Sequence, residues 1–331
     1  MGIFLNSAAP YSLYESEVKK PYFVDKSLML EELFLPVETG NSHICITRPR
    51  RFGKTVMANM VSAFFSRGVD STEIFSKLKI AGNTGYKKHL NTHDVIRIDF
   101  SRMPRNCNSY DKYIERIERI LIQDLMETFS KADIQEEDAV WDSLDLVYER
   151  YGGQRFIFVF DEWDCIFHKD FITDEDKKKY ISFLSSLLKD KAYVLLSYMT
   201  GILPIAKYSS GSELNMFAEY TMVSEKKFSD AFGFTEAEVD MLYARFLKNT
   251  GKPLLSRSGL KEWYDGYHAK GGERVYNPRS VVMALTNNNL GNYWTSSGPY
   301  DEIYYYIEKN VAGVRNDLAL MVSGESVEAK V

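Results

Sequence analysis

The segment Arg48-Pro49-Arg50-Arg51-Phe52-Gly53-Lys54-Thr55 sets a glycine, a lysine and a threonine side by side at the mouth of a helical pattern. That is the second half of the G-x-x-x-x-G-K-[S/T] phosphate loop, with Arg48 where its first glycine stands. The chemistry follows from the placement. The unpaired N–H groups and dipole of a helix start attract phosphate oxygens. Gly53 allows close approach of the backbone, Lys54 reaches β- and γ-phosphates, and the Thr55 hydroxyl is a ligand for magnesium. Arg50 and Arg51 add positive charge beside them.

A Gly-Lys-Thr tripeptide also occurs at ordinary basic turns, so a second element must decide. The run Phe156-Ile157-Phe158-Val159-Phe160 ends in Asp161-Glu162. An apolar strand that terminates in a carboxylate can order magnesium, and a following glutamate can polarise the attacking water. Taken together, the two elements predict binding of ATP with Mg2+.

The elements that must hold these residues can be read from periodicity. Ile44-Cys45-Ile46-Thr47 is a short β-branched strand leading into the loop. After it, Val56, Met57, Met60, Val61, Phe64 and Phe65 recur at three- and four-residue spacing, giving a helix that begins near Val56. Further strands are expected at Val95-Ile96-Arg97-Ile98-Asp99-Phe100, at 156–160, at 193–199 and over 220–223, with helices at 111–129, 138–151 and 180–189. The charged run 174–179 reads as a solvated helix start. Strands alternating with helices predict an α/β fold, a parallel sheet with helices on both faces. From Thr235-Glu236-Ala237-Glu238, a helix N-cap with an acidic first turn, the pattern becomes helical, with Val239, Leu242, Phe246 and Leu247 as an apolar stripe. The expected organisation is a P-loop nucleotide-binding domain over 1–230 and a smaller, mostly helical lid domain over 231–331.

These residues resemble the AAA-ATPase-like proteins of bacteria and archaea, P-loop proteins often fused to a PD-(D/E)XK nuclease-like domain. The similarity runs along nearly the whole chain. It is carried by Tyr22-Phe23-Val24-Asp25-Lys26-Ser27, by the loop Arg48 to Thr55, and by Asp161-Glu162-Trp163-Asp164, where Trp replaces the usual Tyr. Met199-Thr200-Gly201, Phe232-Gly233-Phe234-Thr235, Gly266-Tyr267 and Val275-Tyr276-Asn277-Pro278 complete it. The resemblance implies that Asp161 orders magnesium, Glu162 activates water and Thr200 senses the γ-phosphate. It also implies that Tyr22, Phe23 and Asp25 lie near the adenine or the domain joint, and that Pro278 belongs to the lid against the nucleotide. Gly201-Ile202-Leu203-Pro204 departs from the more usual polar sequence. Glu328-Ala329-Lys330 lacks the strand and acidic partner of a nuclease half-site, and no nuclease-like domain is expected.

Composition narrows the class. The 331 residues are 45% hydrophobic and 26% charged, with 22 Tyr and 20 Phe, which opposes disorder. A net charge of −5 does not indicate a surface built for nucleic acid. No signal peptide or membrane span is apparent, Cys45, Cys107 and Cys165 show no disulfide or zinc spacing, and a cytoplasmic protein is expected. His89 and His93 lack a third metal ligand, and Ser197, Ser209 and Ser210 lack a nucleophile-elbow context. Trp263, Tyr264, Tyr267 and His268 read as lid core before base-stacking residues. Two functional classes follow: an ATP-hydrolysing switch whose lid closes on nucleotide, and a non-hydrolysing nucleotide-dependent interaction module with a protein partner. A small-molecule kinase is the remote third, for want of an acceptor motif.

Overall fold

Five parallel strands, β1 (Ser42–Thr47), β2 (Asp94–Asp99), β3 (Phe156–Asp161), β4 (Val194–Gly201) and β5 (Ala218–Tyr220), form the central sheet in the order β2-β3-β4-β1-β5. The structure is a computed structural model and describes residues 2–209, 211–222, 227–268 and 274–293. Alternation along the strands divides the apolar residues between two cores. Ile44, Ile46, Val95, Ile157, Val159, Leu196 and Tyr198 face one side, while Cys45, Ile96, Ile98, Phe156, Phe158, Phe160 and Met199 face the other. Every residue of β3 is buried, which is why its sequence has no polar gap.

The first core is covered by α1 (Ala9–Val18), α2 (Glu31–Thr39), α3 (Lys54–Phe65) and the single turns α4 (Thr72–Phe75) and α5 (Tyr86–His89). The second is covered by α6 (Tyr110–Thr128), α7 (Val140–Arg150) and α8 (Asp174–Leu188). The fold is therefore α/β with helices on both faces of a parallel sheet. The helix expected from Val56 starts two residues earlier, at Lys54, because Gly53 caps it. The helix expected from Tyr180 starts at Asp174, where Thr173 and Asp176 form a capping box, so the charged run is its first turns.

The C-terminal part comprises α9 (Glu236–Asn249), α10 (Arg257–Tyr264), β6 (Asp265–His268), β7 (Arg274–Tyr276) and α11 (Pro278–Asn287). Side-chain caps at Thr235, Ser256 and Asn277 start its helices. The antiparallel pair β6-β7 is an addition to the mostly helical expectation; its strands are four and three residues long, too short to show alternation. A third apolar cluster fills this part, and Tyr22 and Val24 from the N-terminal segment belong to it. The chain's start thus packs with its C-terminal helices. The fifth strand, expected over 220–223, lies at Ala218–Tyr220, and residue 223 is outside the described residues. The tail with Glu328-Ala329-Lys330 is also outside them.

The free edge of β2 is closed by the N-terminus. Leu5 bridges Ile96 in antiparallel sense, and the Asp124 carboxylate of α6 accepts the N–H groups of Ile3, Phe4 and Leu5 at 2.9, 2.6 and 3.0 Å. A covered edge cannot pair with another chain. Asp124→Ala leaves three N–H groups without their charged acceptor and is expected to cost about 2–4 kcal/mol by urea unfolding. The exposed neighbour Ile3→Ala is expected to stay within about 0.5 kcal/mol of the wild type. Equal effects of the two would show that Asp124 does not hold the edge.

Candidate nucleotide site

The loop between β1 and α3 is shaped by its own side chains. Gly53 has φ +87°, a left-handed conformation that a glycine adopts at little cost. Lys54 is only 6% exposed, and its Nζ donates to the carbonyls of Arg48 and Pro49 at 2.9 and 3.1 Å, so the loop wraps its own ammonium. Burial pulls the Lys54 pKa below the ordinary lysine value, against the opposing charges of Asp164, Glu162 and Asp161. Thr55 is exposed in the first turn of α3. Arg51 also holds a positive φ of 72°. Its pKa is lowered, first by burial and then by the like charges of Arg279 and Arg50.

Arg48, standing where a glycine is usual, points away from the loop. Its guanidinium donates to the carbonyls of Thr47, Tyr220 and Phe228 at 2.8, 2.7 and 3.4 Å and lies over the Phe232 ring. It ties the end of β1 to β5 and the segment beyond, and does not line the cleft described below. Pro49 contributes a carbonyl to Lys54 but does not line that cleft either.

Asp161 and Glu162 leave the sheet in different directions. Asp161 is 1% exposed; its Oδ1 accepts from Thr200 Oγ1 at 2.6 Å and its Oδ2 from the Arg97 guanidinium at 3.1 Å. Arg97 also donates to Asn59 of α3 at 3.3 Å. Thr200 therefore touches Asp161 directly from the adjacent strand. Glu162 turns off the strand with φ 51° and is half-buried on the cleft. Burial and then the charge of Asp161 raise its pKa above the usual carboxylate value, while Lys54 pulls it down. Asp164 accepts the N–H groups of Ile202 and Leu203, both at 2.9 Å, and so holds the loop after β4.

A cleft of about 760 Å³ opens over this loop. It is lined by residues 50–57 and Glu162, by Tyr22, Phe23 and Val24 of the N-terminal segment, and by Phe234 and α11 from Pro278 to Met283. Lys20, Lys26, Arg50, Arg51, Lys54, Lys169 and Arg279 line it with the carboxylates Glu17 and Glu162; Lys20 pairs with Glu17 and Lys26 with Glu238, and the balance among the described lining residues is still cationic. In a chain of net charge −5 such a local excess of cations favours an anion. The expected residues Tyr22, Phe23 and Pro278 are thus brought to the loop. Asp25 is not, since its carboxylate accepts the N–H groups of Ser27 and Lys79 at 2.8 and 2.7 Å. The C-terminal part meets the loop through Asn277, which donates to the Arg50 carbonyl at 3.4 Å, and through Tyr267, whose ring meets Phe52 edge-on at 4.8 Å.

The cleft fits a nucleoside triphosphate. Its lining combines a helix start and cations with the apolar side chains of Tyr22, Phe23, Val24 and Phe234, a mixture suited to phosphates and a base. For magnesium, Thr55 and Glu162 offer oxygens on the cleft, with Asp161 behind them. No cluster of three or more metal-ligating side chains occurs among the described residues. A magnesium ion held mostly by phosphates and waters needs only one or two protein oxygens. The set read from sequence lacks Arg97, Arg279, Lys20 and Lys26. Arg97 carried a signal, a lone cation inside an apolar strand, and Lys26 stood within the Tyr22 to Ser27 motif; Lys20, just after α1, and Arg279, in the first turn of α11, carried none.

The two histidines four apart are accounted for by packing. His89 Nδ1 lies 3.2 Å from His93 Nε2, and His89 Nε2 lies 3.1 Å from Glu38. Burial lowers both pKa values, that of His93 to about 4. Tyr264 is in the third core while Trp263 is half exposed. The side chain of His268 is outside the described residues.

Fold and site together define a P-loop nucleotide-binding protein. The chain belongs to the AAA-ATPase-like family, described as Predicted AAA-ATPase, whose pattern matches residues 14–210. A curated relative, an uncharacterized protein in the vnfD 5′ region of Azotobacter chroococcum mcd 1, is 26% identical over 282 residues; the match covers 84% of this chain. The chain spans about half of that relative, 51% of its length. Among solved structures, a Walker-type ATPase of Pyrococcus abyssi is similar with a TM-score of 0.44 and 13% identity, covering 88% of this chain and 74% of that one. The Aeropyrum pernix ORC2 protein, in ADPNP and ADP complexes, follows with a TM-score of 0.36 and 12% identity, covering 80% and 64%. No helix among the described residues is long and apolar enough to cross a membrane.

The acidic box and the β4 end are fitted to each other. A Cβ on Gly201 would stand 2.4 Å from Nε1 of the fully buried Trp163. Gly201→Ala is therefore expected to destabilise by about 1–3 kcal/mol through overpacking. In a Trp163→Phe background the same change is expected to cost less, by a double-mutant cycle of unfolding midpoints. Additive effects would show that the indole is not what requires the glycine.

Proposed function

We propose that this protein binds ATP with Mg2+ in the cleft and hydrolyses the nucleotide as a molecular switch, with α11 closing as a lid. The observation that carries the reading is the Lys54 ammonium, buried on its own loop carbonyls at the start of α3 and opening into the same cleft as Glu162. A phosphate is a stronger partner for that ammonium than a neutral carbonyl, because the hydrogen bond is then between ions. Mg2+ bound with the nucleotide would neutralise charge on the phosphates and hold them in register.

Each residue has a task in this reading. The N–H groups of residues 53–55, with Arg50 and Arg51, bind the phosphates. Thr55 would hold Mg2+ bound with the nucleotide, and Asp161 would order it. Glu162 orients water and takes its proton, for which a raised pKa is suited. Thr200 reports on the γ-phosphate through its hydrogen bond to Asp161. Tyr22, Phe23 and Val24 flank the base, and Pro278 and Arg279 bring the lid to it. Lid closure is supported by the direct contacts of Asn277 and Tyr267 with the loop. The lid over 231–331 against a nucleotide domain over 1–230 belongs to the same proposal, as do a cytoplasmic location and a protein partner that senses the lid.

A non-hydrolysing interaction module is the second reading, favoured by the engagement of both Asp161 oxygens by protein groups. Phosphate release separates the two. The wild type is expected to release phosphate steadily from ATP, and Glu162→Gln to lose that release by at least about a hundredfold while still binding ATP. Wild-type turnover in the variant would remove Glu162 from the chemistry. The same variant has a signature without ligand. Because the folded Glu162 pKa is raised, the folded state binds the proton more readily than the unfolded one, and stability falls as pH rises through that window. Glu162→Gln is expected to melt above the wild type at pH 8, the gap closing below about pH 4. A variant that melts lower at pH 8 would contradict the raised pKa.

A further inference from the structure

Arg97 lies inside β2 among the buried residues Val95, Ile96 and Ile98. A cation in such a place is tolerated only with a charged or hydrogen-bonding partner. Its guanidinium meets Asp161 Oδ2 at 3.1 Å and Asn59 Oδ1 at 3.3 Å, and its Nε has no hydrogen-bond partner among the described residues. Because β3 runs between β2 and β4, Asp161 is held from both flanking strands, by Arg97 on one side and Thr200 on the other. Each carboxylate oxygen retains a further acceptor position, so the hydrogen bonds do not saturate Asp161. Its charge, however, is already matched.

We infer that Arg97 is an internal counter-ion which stands in for the divalent cation at Asp161 while no nucleotide is bound. The site then retains the cation only together with phosphates, whose charge outweighs the guanidinium. This rests on the reading of Asp161 as the metal-side carboxylate of the nucleotide cleft. Other charges reach the same region. Lys54 interacts with Asp161, Glu162 and Asp164, adding a second cation opposed to a metal in the nucleotide-free protein. Magnesium keeps several waters and binds through one or two carboxylates, so it has little means to displace a bonded guanidinium by itself. A single neighbouring charge changes the proton affinity of a carboxylate by about 10- to 1000-fold, and a dication is at least as sensitive. Arg97 is on this view a positioning residue acting through Asp161, and it sets nucleotide-dependent entry of the metal.

The test uses Mn2+ as probe on the full chain without nucleotide, free Mn2+ being read by its electron paramagnetic resonance signal. Wild-type protein is expected to bind Mn2+ weakly. Arg97→Gln keeps an amide donor near Asp161 but removes the charge, and is expected to bind Mn2+ at least about tenfold more tightly. Arg97→Met, the second charge-removing variant, is expected to do the same, and both must show a cooperative melt. Arg97→Lys keeps the cation and is expected to match the wild type. Adding Asp161→Asn to Arg97→Gln is expected to abolish the gain. The inference is overturned by a folded Arg97→Gln or Arg97→Met protein with wild-type affinity, by a gain in Arg97→Lys, or by a gain that survives Asp161→Asn. It is also overturned if the wild type alone titrates Mn2+ at micromolar concentration. None of these arms contains ATP, so they can fail while the nucleotide reading stands.

Discussion

The site depends on one buried ammonium. Lys54 turns back to the carbonyls of Arg48 and Pro49, and this contact curls the loop around its own ammonium. The same loop is anchored at its root, where the Arg48 N–H donates to the Gly201 carbonyl at 3.1 Å. Gly201 follows Thr200, which holds Asp161, so the loop and the acidic strand end are joined through the end of β4. A neutral carbonyl is a modest partner for a buried cation, and a phosphate is a better one. The loop is thereby complete in structure yet incompletely satisfied in charge.

Coupling to the C-terminal part has the same economy. Phe52 is 1% exposed and touches Tyr267, Asn277 reaches the carbonyl of Arg50, and Tyr22 and Val24 sit in the third core. Lys26 makes a 2.7 Å ion pair with Glu238 of α9 and also donates to the Asp230 carbonyl. A change in the loop's shape therefore has a direct packing route to the helices that overhang the cleft. This route consists of contacts between the N-terminal segment, the loop and the C-terminal part, rather than of the sheet itself.

Much of the sheet was legible because its signals are local. The uninterrupted Phe156–Phe160 run announced a strand buried on two faces, and Gly53-Lys54-Thr55 announced a helix start. What stayed hidden depends on strand order. Arg97 and Asp161 are 64 residues apart in sequence and meet only because β2 and β3 are neighbours. Arg48 reads as a loop residue, but the direction of its side chain is set by carbonyls of Tyr220 and Phe228, far along the chain. Asp25 sits in a motif with Tyr22 and Phe23, yet its carboxylate is taken up by the N–H groups of Ser27 and Lys79. The β6-β7 pair was missed because strands this short show no period.

Every role proposed for the cleft requires that the Lys54 loop take a triphosphate. The most direct measurement is the thermal midpoint of the full chain with Mg2+ and ATP, with adenosine, and in a Lys54→Ala variant. A ligand at about a hundredfold excess over its Kd stabilises the folded state by about 2.7 kcal/mol. For a chain of this size that is a rise of roughly a few degrees. This rise is expected for wild-type protein with ATP, with little rise for adenosine and little rise for Lys54→Ala with ATP. An equal rise with adenosine, or an undiminished rise in Lys54→Ala, would contradict triphosphate binding by this loop.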